Sequence, residues 1–145
     1  MTPEPPVTPS DANPTFADGV ILTFPKGLLG FEKLTSYRLV EPRDAYPLKF
    51  LQSVEAEDVS FICIDPVAVK KDYEVSLGDE EAQALDLQSP GDAMILTLVV
   101  VPEDPRQMTT NLAGPLVVNV KTLLGFQIIL NSDKFPLRFP ILVHE

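Results

Sequence analysis

Few side chains in this sequence could carry out chemistry, and their positions do not suit it. The one histidine, His144, stands beside the last residue, Glu145. A Ser-His-carboxylate relay needs an imidazole held by a third group, and a chain end provides no such hold. The one cysteine, Cys63, lies inside the apolar run VSFICID (59–65). A single cysteine excludes an intramolecular disulfide and a cysteine-based zinc site within one chain. Its apolar surroundings predict a buried, reduced thiol rather than a nucleophile. Carboxylates cluster at EAED (55–58), GDEE (78–81) and PEDP (102–105), yet none forms a D-x-D-x-D-G calcium loop. Acid-base work by two carboxyls requires surroundings that push their pKa values apart, and no pair stands out. The clusters read as solvated turns. GLLG (27–30) lacks the lysine of a phosphate-binding loop and reads as a bend that needs two positive-φ residues. The expectation is a chain with no catalytic residue, no cofactor and no metal, hence not an enzyme.

Charge narrows the partners. Twenty-one acidic residues against 11 basic give a net charge of −10. Such a surface repels phosphate backbones and attracts basic partners. The only adjacent basic pair, Lys70-Lys71, is followed at once by Asp72, so direct nucleic-acid binding is not expected. No apolar run approaches the ~18 residues of a membrane span, and the N-terminus lacks the basic and apolar regions of a signal peptide. These features predict a soluble cytoplasmic domain with no membrane contact.

The elements that would position any site are short. Residues 1–18, MTPEPPVTPSDANPTFAD, are proline-rich and polar, and predict an extended or disordered tail ahead of a single domain over 19–145. From Gly19 onward, apolar runs of period near two alternate with turn residues. Strands are expected at 20–24, 37–41, 48–53, 59–65, 72–77, 93–101, 116–120 and 126–130. The alternation is cleanest in DYEVSL (72–77), with Tyr73, Val75 and Leu77 on one face. AMILTLVVV (93–101) is nearly all apolar and should be central and covered on both faces. GDEEAQALDL (78–87) predicts the one short helix, its first-turn acids facing the positive end of the dipole. A helical turn is also considered in FEKLTSY (31–37), and ILVHE (141–145) as a last short strand. Many short strands, proline-bounded corners and little helix predict an all-β fold, a compact antiparallel β-barrel-like single domain.

The candidate binding residues are apolar side chains placed in turns. KTLLGFQ (121–127) puts Leu123 and Leu124 at an expected hairpin tip, followed by Phe126. They are either tucked over a barrel end or displayed to a partner. The prolines of KFPLRFPIL (134–142) predict an edge strand or strap. Leu28, Leu29 and Phe31 of GLLGFE, and Asn111 and Leu112 of NLAGP (111–115), complete the set. The NLAGP corner also reads as structural, with Asn111 bonding local backbone, Gly114 permitting a sharp turn and Pro115 opening the next strand. In that strand Asn119 faces away from Leu116 and Val118, which predicts a half-buried amide needing a backbone partner across the barrel.

Several of these segments, in order, resemble the FliW family of flagellar assembly factors: FPKGLLGFEKLTSYRLV (24–40), KFLQSVEAEDVSFICIDP (49–66), KDYEVSL (71–77), VVVPEDPRQMTTNLAGPLVVNVKT (99–122) and GFQIILNSDKFPLRFPI (125–141). GLLGFE, LQS, NL-x-x-P-x-x-x-N and G-x-Q carry the resemblance most strongly. It implies a cytoplasmic regulator without enzymatic activity, monomeric when free. Two partners are implied: flagellin, held before export, and CsrA, the RNA-binding repressor of flagellin translation, which the free factor antagonises without touching RNA. The alternative is an acidic β-barrel protein-binding module, or a chaperone for another secreted protein, with no CsrA role. The chain departs from the family in its apolar hairpin at Leu123, Leu124 and Phe126, which is usually polar or basic. It also has Phe135 where tyrosine is common, and the proline-rich tail has no counterpart in the family's motif.

Overall fold

The computed structural model describes residues 19–42, 47–130 and 134–141. The proline-rich 1–18 segment, residues 43–46 and 131–133, and 142–145 including His144 lie outside the described residues. In chain order the elements are β1 (Val20–Thr23), β2 (Ser36–Val40), β3 (Leu48–Ser53), β4 (Ser60–Ile64), α1 (Asp79–Ala84), β5 (Ala93–Val100), β6 (Thr109–Thr110), β7 (Leu116–Asn119), β8 (Gly125–Gln127) and β9 (Phe139–Pro140). The fold is all-β with one short helix, as the patterning predicts.

β1 to β5 form an antiparallel meander, and β5 is the pivot of the sheet. One edge of β5 pairs with β4. The other pairs first with β7 and then, at its far end, with β6. β8 pairs with β7, and the ring closes where Leu124 bridges Thr23 in parallel, with the Thr23 amide donating to the Leu123 carbonyl at 2.9 Å. Seven strands thus make a closed barrel, and β6 with β9 forms a flange beyond it. The proline-spaced segment ends as an edge, as expected, and Pro140 sits where no further strand asks for its missing donor.

Alternation fills the interior. Leu22, Tyr37, Leu39, Leu51, Met94, Leu96, Leu116 and Val118 point inward with Phe24 and Leu28, all essentially inaccessible. Each such side chain contributes about 1.5–3 kcal/mol by leaving water. The opposite face of β5 and β7 carries a second, smaller core: Ile95, Ala93 and Val117 meet Val75, Leu77, Leu85 and Leu87 from the long β4–β5 connection. The first part of β5 is therefore covered on both faces, as its apolar run predicts, whereas the end of that run is open, with Val100 63% exposed and Val101 44% exposed.

Three local expectations are revised. DYEVSL keeps its alternation, with Tyr73, Val75 and Leu77 turned in and Glu74 and Ser76 out, but it pairs with none of the described strands. The helix spans only 79–84: Gly78 caps its start, the Glu81 carboxylate accepts the Gly78 amide at 2.7 Å, and the chain leaves through Asp86 at φ 53°. Residues 31–33 form turns, not helix.

Candidate protein-binding surface

The NLAGP corner is an insertion within one strand line rather than a turn before a strand. Opposite β5, Thr110 faces Val99 and Leu116 faces Leu96. The partner line therefore holds three more residues than β5 over the same span, a large bulge. Four successive carbonyls there, Leu112 to Pro115, are met. The Tyr73 hydroxyl donates to the Leu112 carbonyl at 2.7 Å, the Leu130 amide to Ala113 at 2.7 Å, and the Ile128 amide to Pro115 at 2.9 Å. The side chain of Gln127 donates to the Gly114 carbonyl at 3.0 Å. Burial holds the Tyr73 phenol protonated, its pKa pushed well above the usual value, so it stays a donor. Asn111 does bond local backbone, its Oδ1 accepting the Ala113 amide at 2.9 Å. Gly114 has no unusual φ; a Cβ there would lie 2.9 Å from Asn111 Nδ2 and 3.0 Å from Gln127 Nε2, so those side-chain ends would have to shift.

The GLLG bend behaves as its glycines predict, with Gly27 at φ +66° and Gly30 at φ +87°. Its Leu28 is buried, while Leu29 is 70% exposed and Phe31 40% exposed. What fixes this arrangement is again Gln127, whose Oε1 accepts the Leu29 amide at 2.7 Å. The edge of Phe31 packs on Phe61 at 5.0 Å between ring centres, so its exposed part rests on a held ring. Three motifs far apart in sequence, GLLGFE, NLAGP and G-x-Q, thus converge on one amide side chain.

The eight candidate residues separate by exposure. Leu112 and Leu28 are buried and act in packing. Asn111 is half-buried in its own loop. Leu123, Leu124 and Phe126 are half-buried: Leu123 packs on the barrel interior and Phe126 on the second core. The tip leucines are largely tucked over the barrel end, and Leu123 holds φ +65° there, a left-handed conformation that costs a residue with a Cβ about 1–2 kcal/mol. Leu29 and Phe31 alone of the eight present a substantial apolar face. Gly125 is not at the tip; it starts β8, where a Cβ would meet the Phe24 ring at 2.6 Å.

Asn119 is fully buried rather than half-buried, and its partners lie in the helix exit and the hairpin, not across the barrel. Its Nδ2 donates to the carbonyls of Leu85 at 2.7 Å and Asp86 at 3.2 Å. Its Oδ1 accepts the amides of Lys121 at 2.8 Å and Thr122 at 3.2 Å. Gln52 and Ser53 of LQS serve the β3–β4 loop in the same manner: Gln52 donates to the carbonyls of Glu57 and Val59, and Ser53 Oγ accepts the amides of Glu55 and Ala56. Glu55 is more than a solvated acid. One of its oxygens accepts the amides of Thr35 and Ser36 at 2.7 and 3.0 Å, and these bonds lower its pKa.

Sequence reasoning missed one feature, a groove of about 590 Å³ between the β4–β5 connection and the outer face of β5 and β7. The one visible sign of it was the strand-like alternation of 72–77. Cys63 is buried as expected, and burial pushes its thiol up to about 12. Among the described residues no group of His, Cys, Asp and Glu could hold a metal ion, and no helix is long and apolar enough to cross a membrane.

The closed barrel carries these turns at its ends, and Leu29 and Phe31 are displayed on one of them. The profile of the family described as FliW protein matches residues 9–141. The flagellar assembly factor FliW of Clostridium botulinum (strain Alaska E43 / Type E3) is 39% identical over 124 residues, covering 86% of this chain and 87% of that one. The FliW of Natranaerobius thermophilus is 41% identical over 122 residues, covering 83% of this chain and 81% of the relative. A crystal structure of a flagellar assembly factor FliW superposes with a TM-score of 0.79 at 25% identity, covering 95% of this chain and 96% of that one. The chain belongs to the FliW family of flagellar assembly factors.

Proposed function

We propose that this chain is a cytoplasmic regulator of flagellin synthesis that works by binding and not by turnover. It holds flagellin before export. When export depletes flagellin, the free monomer binds CsrA and relieves repression of flagellin translation. The observation that carries this reading is family membership over nearly the whole chain, with the family's motifs brought together at Gln127. Displayed Leu29 and Phe31 suit a protein contact. The net charge of −10 suits antagonism of an RNA-binding protein, because an acidic domain docked beside an RNA site repels incoming phosphates.

The test is binding of the purified protein to its cognate flagellin and to CsrA, separately and in competition. Two mutually exclusive complexes are expected, and no complex with either partner would overturn the reading. The electrostatic component is checked with Glu57→Gln, Asp58→Asn, Asp79→Asn and Glu80→Gln together, leaving Glu55 and Glu81 to their backbone bonds. RNA displacement from CsrA should weaken while CsrA binding persists. Leu123→Asp with Leu124→Asp separates contact from core at the tip. The half-buried positions and the closure at Thr23 lead us to expect loss of folding there.

A further inference from the structure

The segment following Tyr73 has the sequence pattern of a strand but none of the described strands beside it. Exposure alternates residue by residue along Glu74, Val75, Ser76 and Leu77, as in an extended chain. No backbone amide or carbonyl of these four residues bonds to any other described residue. The same segment walls the groove of about 590 Å³, whose floor is apolar: Val75, Leu77, Leu87, Ile95 and Val117 all line it. Of the strands that form that floor, β7 has both edges paired, while β5 pairs with β7 along Ala93–Leu96 and with β4 along Thr97–Val99. Residues 74–77 offer the groove an extended backbone with no bond to the described residues.

Charge selects what could lie there. No lysine or arginine lines the groove; of its two acids, Asp65 is buried and caps the Val67 amide, and Glu74 is the exposed charge. Residues 70–88 hold six carboxylates and two lysines, and Lys70 is paired with Asp72 at 2.9 Å. Fatty acids and other anionic apolar molecules are disfavoured by this rim. So is the chain's own 1–18 segment, which has three acids, no basic residue and five prolines that cannot donate to a ladder.

We propose that residues 74–77 are an open strand edge at which an extended segment of a partner protein adds as a further strand, seating alternate apolar side chains in the groove and placing lysine or arginine against the acidic rim. Pairing along the backbone supplies affinity, and the groove supplies selection for alternate residues. The proposal rests on the reading of the chain as a protein-binding regulator and gives that reading a docking site.

The probe is a synthetic eight-residue peptide alternating lysine and valine, compared with the same peptide N-methylated at alternate amides and with a glutamate-for-lysine version. Binding is read by fluorescence anisotropy with the full chain, and the site by amide chemical-shift changes. Shifts are expected at 74–77 and at Ile95 and Val117. N-methylation should weaken binding about tenfold, the scale of lost backbone hydrogen bonds, and the glutamate peptide should not bind. Ser76→Pro, which removes an exposed donor, and Glu74→Lys should each weaken binding to a similar degree. If Ser76→Pro does not fold, Glu74→Lys and the methylated peptide still decide the matter.

Equal binding of the methylated peptide, or shifts confined to Leu29 and Phe31, would overturn the proposal. Nuclear Overhauser contacts between residues 1–18 and Val75 in the free protein would overturn it in favour of an intramolecular occupant. A dimer abolished by Ser76→Pro would do so in favour of a second copy. Flagellin and CsrA are measured against the same variants. Undiminished binding of both would overturn the open edge as their docking site and leave the regulatory function standing, whereas failure of the unaltered chain to bind either would overturn that function.

Discussion

Gln127 holds Leu29 by its backbone. The side-chain oxygen accepts the Leu29 amide at 2.7 Å, and the same amide group donates to the Gly114 carbonyl at 3.0 Å. One side chain therefore ties the turn that displays Leu29 to the bulge beside β5. Gln127→Glu keeps the acceptor, loses the donor and sets a carboxylate against a carbonyl, so it should destabilise by about 1–3 kcal/mol. Gln127→Ala loses both bonds and should also speed hydrogen exchange at Leu29, which the glutamate variant should not. A urea midpoint unchanged by Gln127→Ala would show that the bridge contributes no stability.

Gly125 has no room for a methyl group, because Phe24 Cε2 lies 2.6 Å from the added carbon and Val118 Cγ2 3.0 Å. Both neighbours are buried, so relief requires moving the core. Gly125→Ala is expected to cost about 1–3 kcal/mol by overpacking. Phe24→Leu costs stability by itself, but it opens the space the methyl needs. The double variant should be more stable than the sum of the two single effects predicts, by on the order of 1 kcal/mol. Additive losses in thermal unfolding would mean the clash is not with Phe24.

Asn119 is buried and satisfies four backbone groups, so Asn119→Leu leaves two carbonyls and two amides without it, the Leu85 carbonyl fully buried and the other three part-buried. The expected loss is about 2–4 kcal/mol, above that of an ordinary surface substitution. The amides of Lys121 and Thr122 should lose protection from exchange more than those of the β1–β4 meander. Uniform loss across the molecule would argue that Asn119 supports global packing rather than this junction.

Cys63 ties stability to alkaline pH. Burial raises its thiol from 9.0 to about 12, partly offset by the charge of Lys49. The folded state thus keeps a proton that the unfolded state gives up. The resulting stability is complete below the unfolded value of 9.0 and is lost as pH rises toward about 12. Cys63→Val should flatten this contribution, so the wild type should lose more stability than the variant across that window in urea titrations. At neutral pH the native thiol should react with a thiol reagent only as fast as the protein unfolds; immediate stoichiometric reaction would contradict its burial.

How much of this was legible depended on how local the cause was. The two positive-φ glycines of GLLG, the both-sided cover of the first part of β5 and the edge placement of Phe139–Pro140 follow from short stretches whose sterics or patterning leave few options. Residues 72–77 carried an equally clear local pattern, yet a ladder needs a second chain segment, and none of the described strands lies beside them. Gly114 reads from the sequence as a sharp-turn residue, yet its φ is ordinary and its close neighbours are the side-chain ends of Asn111 and Gln127. Asn119 announced a need for hydrogen bonds without naming their source, because the helix exit it serves comes from another part of the chain. The candidate residues were legible as apolar turn positions. Which of them remain exposed was decided by contacts such as Phe31 on Phe61 and Leu123 on the barrel core.

The barrel closes where β1, near the start of the domain, meets Leu123 and Leu124, near its end. A contact between such distant parts of the chain forms late in folding and slowly. While a ribosome is still making the protein, β1 to β4 can pair in order as they emerge. β1 nevertheless keeps one bare edge until the last hairpin leaves the exit tunnel. For that interval an apolar strand next to an unfinished core is open to the wrong neighbour, so the yield of native protein should depend on how quickly translation completes the residues around Leu123.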